Sequence, residues 1–155
     1  MDLQKCWNYM HDSSKFKFGY SQNNASRFVS ILSKINETDD IITQIFYATM
    51  ALEAVYARGT SEGIARQIID KVKIFLDIEI EDKKLKQLYD IRSRYIHGDT
   101  DIELSFLYFD AVPGKEWDKL YALYFYVSEI LYKTAKRIIE ENISTIDFGY
   151  ILQTS

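Results

Sequence analysis

Two side chains suited to acid–base chemistry on an anion stand five positions apart in the stretch LYDIRSRYIHGD, residues 88–99: Arg92 and His97. An imidazole exchanges a proton near neutral pH, and a guanidinium neutralises negative charge that develops on oxygen. Ser93 lies four residues before His97 and shares its side of a helix. A third candidate, Glu53 in the stretch ALEAVY, would supply a carboxylate to hold the guanidinium.

The elements that must position these groups can be read from periodicity. Leu88, Ile91, Tyr95 and Ile96 recur at helical spacing, and Gly98 is placed to end that helix, which is expected to begin near Glu81. At about 100° per residue, Leu85, Leu88, Tyr89 and Ile96 span one arc, with Arg92 near its middle. Upstream, Ile42, Ile45, Phe46, Thr49 and Tyr56 form a comparable arc around Glu53. Each helix is therefore expected to turn one charge toward the core. A lone buried charge costs several kcal/mol, so the simplest expectation is that Glu53 and Arg92 pair in a charge-assisted fork. Such a pair would also serve merely to fix helix register. His97 stands about 140° round an ideal helix from Arg92, though in a last turn whose fraying would let both reach one cleft. The helix dipole favours its protonated form there, and a simple C-terminal cap is an equal reading of that histidine.

The remaining chain fits an all-α bundle of about five main helices in a single domain, residues 1–155. With one proline and six glycines, long helices can run uninterrupted. A short helix is expected over 3–11, then a loop or short extended piece at KFKFGYSQNN. Helices follow over about 24–36, from the N-capping TDD to about Arg58, and from a cap at Thr60 or Ser61 through Leu76. The stretch DTDIELSFLYFDAV reads equally as strand or helix. Pro113 opens a long helix to about Asn142, with Trp117, Tyr124, Leu131 and Ile138 at seven-residue steps, the mark of a core or seam.

Composition narrows the function classes. Hydrophobic residues make up 47% and charged residues 27%, as in folded globular proteins. Twelve tyrosines and nine phenylalanines predict broad packed or partner-facing surfaces. The single cysteine, Cys6, leaves no disulfide framework or thiolate zinc cluster. The first ten residues carry no basic-then-apolar leader pattern and no apolar run approaches membrane-spanning length, so a cytoplasmic protein without a membrane partner is expected. The net charge of −4 does not advertise nucleic-acid binding. Residues 58–98 hold nine Lys/Arg against seven Asp/Glu, which would allow a local meeting with phosphate but reads as readily as a solvated mixed-charge face. Two distant histidines without a paired-carboxylate motif give a metal hydrolase little support, and no cofactor is expected.

One resemblance gathers these features. RSRYIH is similar to the R-x4-6-H motif of HEPN domains, which are all-α modules. ALEAVY followed by LYDIRSRYIHG resembles the Apea-like HEPN group, whose members carry an ALE helix and an LY-x-x-R-S-x-x-x-H-G helix. The likeness covers roughly residues 40–100, and the flanking helices fit in outline. It implies metal-independent RNA cleavage by a homodimer, at a site built across the two-fold axis. On that likeness Arg92 and His97 are the catalytic pair, and Glu53 and Ser93 support them. The setting it implies is phage defence or a toxin-like system, with an activating or neutralising partner protein. The alternative it implies is a dimer that binds nucleotide, RNA or a partner protein without cleaving. Asp99 stands where another HEPN group carries a tyrosine, so regulation by modification at that position gains no support.

Overall fold

A computed structural model describes residues 1–57, 63–99 and 115–149, with the backbone alone at 115–117. Six helices and one small hairpin occur among them: α1 (Leu3–Met10), β1 (Phe16–Lys17), β2 (Tyr20–Ser21), α2 (Asn24–Ile35), α3 (Ile41–Tyr56), α4 (Ile64–Leu76), α5 (Asp82–His97) and α6 (Lys115–Glu140). The protein is an all-α bundle, as the periodicity predicts.

Local chemistry sets the ends of these helices. Asn23 and Ser26 cap α2 reciprocally, each side chain bonding the other's backbone N–H. The Asp40 carboxylate accepts from the Thr43 N–H at 2.7 Å and starts α3. At the end of α5, Gly98 takes a φ of +73°, its N–H reaches the Tyr95 carbonyl, and the Asp99 N–H reaches Arg94 at 2.8 Å. This paired closure suits a residue without a Cβ. Asn142, at φ +55°, closes α6 in the same way. The expected cap at Thr60 or Ser61, the stretch 100–112 and Pro113 lie outside the described residues.

The core gathers around α3, which touches α2, α4, α5 and α6. Ile41, Ile45, Ala48, Ala51, Leu52 and Val55 are buried and form one continuous arc of about a third of the circumference of α3. Polar ties cross this core. The Tyr56 hydroxyl bonds Thr134 on α6 at 2.8 Å, and the buried Asn24 amide pairs both ways with the Ile146 backbone, at 2.7 and 3.0 Å. That second tie pins the segment after α6 beside the start of α2. Among the described residues no helix is long and apolar enough to cross a membrane.

Candidate functional site

Glu53 and Arg92 meet, but not as a fork. One guanidinium nitrogen of Arg92 lies 3.6 Å from Glu53 Oε1, an ion-pair distance beyond hydrogen-bond range. The Glu53 Oε1 and Arg92 Nε atoms are both buried and make no hydrogen bond among the described residues. The side chains themselves are 24% and 26% exposed, so the pair sits at the rim of the core rather than inside it. The two helices arrive at that rim differently. On α3, Glu53 falls just outside the buried arc, between Ile42 and Phe46. On α5, Arg92 does fall between Leu85 and Leu88 in azimuth, but the helix runs past the end of the core. Along one stripe Leu85 and Leu88 are fully buried, Arg92 is a quarter exposed and Ile96 is 49% exposed. The expected arc is correct around the axis, and exposure grows along it.

Two aromatic rings frame the pair. The Arg92 guanidinium lies 5.9 Å from the Phe46 ring centroid, and Tyr89 reaches toward the Thr49 carbonyl at 3.5 Å. The Tyr89 phenol is pushed well above its ordinary range, first by burial and then by the Glu53 carboxylate beside it. It therefore stays neutral and adds no charge to the rim.

His97 and Ser93 do not join this cluster within one chain. Both are exposed. The helix is regular through His97 and closed at Gly98, so the ring keeps its helical position. His97 stands about 140° from Arg92 and shares its face with Asp90 and Ser93. Within one chain, α5 presents Arg92 and His97 on different sides.

Glu53 also looks the other way. It lines a cleft of about 410 Å³ between the start of α2 and the end of α3, with Gln22, Asn23, Arg27 and Met50 around it. Gln22 and Arg27 escape a sequence reading because they stand in a stretch without periodicity and on the solvent side of α2. The only signal for Gln22 is the polar run SQNN after an aromatic–lysine alternation, and Arg27 has none of its own. Comparison with known family models, curated proteins and solved structures finds no match for this chain.

Proposed function

We propose that the chain is a metal-independent RNA endonuclease of the HEPN type that works as a homodimer, in phage defence or a toxin-like system. The observation that carries this reading is the Glu53–Arg92 pair. It links the two helices on which the resemblance rests and leaves a guanidinium at the surface of the bundle. The exposed apolar Ile96 further along the same stripe supports a second copy docking there.

The chemistry follows from the side chains. The RNA 2′-hydroxyl attacks the adjacent phosphorus as one His97 takes its proton. The P–O5′ bond breaks, and the His97 of the other copy returns a proton to the leaving oxygen. Arg92 neutralises the extra charge on the non-bridging oxygens of the phosphorane. The products are a 2′,3′-cyclic phosphate and a 5′-hydroxyl. Cleavage should persist in excess EDTA and leave those ends, and a 2′-deoxy sugar at the scissile position should resist it. His97→Ala and Arg92→Ala should each lose about 10²-fold or more. Activity that required Mg²⁺, or that survived His97→Ala, would defeat the reading.

A second reading, a dimer that binds RNA or a partner protein without cleaving, is favoured by one observation: Arg92 and His97 stand on opposite sides of α5 within each chain.

A further inference from the structure

The hairpin of β1 and β2 carries an aromatic residue in a place the fold gives no reason for. Lys17 pairs with Tyr20, and the two-residue turn Phe18–Gly19 closes the strands at φ +53° and +81°. Both turn positions need the left-handed region, where Asn-Gly is the favoured pair. Gly19 suits its place. A bulky ring at φ +53° is strained, and such strain persists where surrounding structure or function maintains it. Packing does not explain Phe18, which is 89% exposed, with Tyr20 beside it at 76%. The root of the hairpin is nonetheless firm. Lys15, 2% exposed, is paired with Asp12, and the Phe16 ring packs edge-on against Tyr9.

The hairpin leads straight into the cleft beside Glu53. The Gln22 side chain donates to the Tyr20 carbonyl at 2.8 Å and stands at the cleft's lip with Asn23 and Arg27. Lys17 Nζ lies 5.9 Å from the Phe18 ring centroid. One course over the surface therefore offers two open aromatic rings and a lysine, then amides and an arginine, and ends at Glu53, whose carboxylate lines the cleft.

We infer that this course binds single-stranded RNA and leads it to the Glu53 side of the Glu53–Arg92 pair. Unpaired bases stack on Phe18 and Tyr20, and Lys17 and Arg27 neutralise phosphates. The amide and charged lining of the cleft suits a polar polymer better than a lipid surface or an apolar peptide. A duplex keeps its base faces covered and gains nothing from the aromatic pair. The inference rests on the RNA-directed reading above, but it concerns binding and stands apart from cleavage.

Phe18→Asn separates the proposal from a structural role. Asparagine fits the left-handed turn, so the variant should melt at or above the wild-type temperature. The same change should weaken binding of a fluorescein-labelled 12-nucleotide single-stranded RNA about tenfold, read by fluorescence anisotropy in EDTA. His97→Ala serves as the background so that the RNA survives. Arg27→Gln should weaken binding and flatten its dependence on salt. Binding unchanged by Phe18→Asn, equal affinity for a duplex of the same length, or no binding of the single strand would each overturn the proposal. Wild-type protein that binds the strand and never cuts it would defeat the nuclease reading alone.

Discussion

At the scale of single residues, the ion pair between Glu53 and Arg92 tests how much a charge on a core-facing arc is worth. A fully buried pair that loses one partner typically costs several kcal/mol. Here both side chains are about a quarter exposed and 3.6 Å apart, so Arg92 can turn its guanidinium into water when its partner is removed. Glu53→Gln should therefore cost about 1 kcal/mol in urea unfolding, while cleavage falls much further because the guanidinium loses its anchor. A loss of 3 kcal/mol or more would mean that the pair is shielded from solvent. The meeting of these two residues was legible in their positions on two apolar arcs. Its looseness was not, because a helical wheel reports angle about the axis and says nothing of where along the axis the core stops.

Among the elements, α5 shows the same limit at larger size. Its start, its apolar stripe and its end at Gly98 all follow from spacing and capping chemistry. That the stripe outlasts the core depends on its neighbours, since the last turns of α5 lie beside the first turns of α3 and α6, which is a tertiary fact. In the proposed dimer, the exposed Ile96 is the contact offered to a second α5. Ile96→Lys should leave the monomer's circular dichroism and melting unchanged while shifting light scattering from dimer to monomer at micromolar concentration. Wild-type protein that scatters only as a monomer would count against the composite site. The sequence leaves the β1–β2 hairpin open between loop and short extended piece for a different reason. Its turn pair, Phe-Gly, is not one that hairpins favour, so KFKFGYSQNN reads as loop or short extended piece without a turn to join two strands. The departure from turn chemistry that hid the element also marks its tip for a role outside the fold.

Across the whole molecule, three tyrosines bind the elements to one another. Tyr9 on α1 donates to the Ile143 carbonyl, Tyr56 joins α3 to Thr134 on α6, and Tyr89 joins α5 to the Thr49 carbonyl of α3. Burial is the largest cause holding each phenol above its ordinary value of about 10. The folded state thus favours the neutral phenols, so this stability is complete below pH of about 10 and is lost as pH rises beyond it. The melting temperature should stay level from pH 7 to about 9 and fall steeply above about 10, with tyrosinate absorbance rising together with loss of helix. Ionisation of all the tyrosines with the circular dichroism intact would contradict that coupling.

The central position of α3 also has a temporal consequence. A helix packed against four others exposes its amides only when the whole bundle opens, whereas the last turn of α5 can open with the free energy of a single helix end. The two halves of the proposed site therefore run on different clocks. On packing alone, Glu53 is expected in the slower-opening part of the protein and His97 in a faster-exchanging one. A second α5 docked against that turn would slow the faster half, so assembly would order the proton-transfer group without moving the residue that anchors the guanidinium.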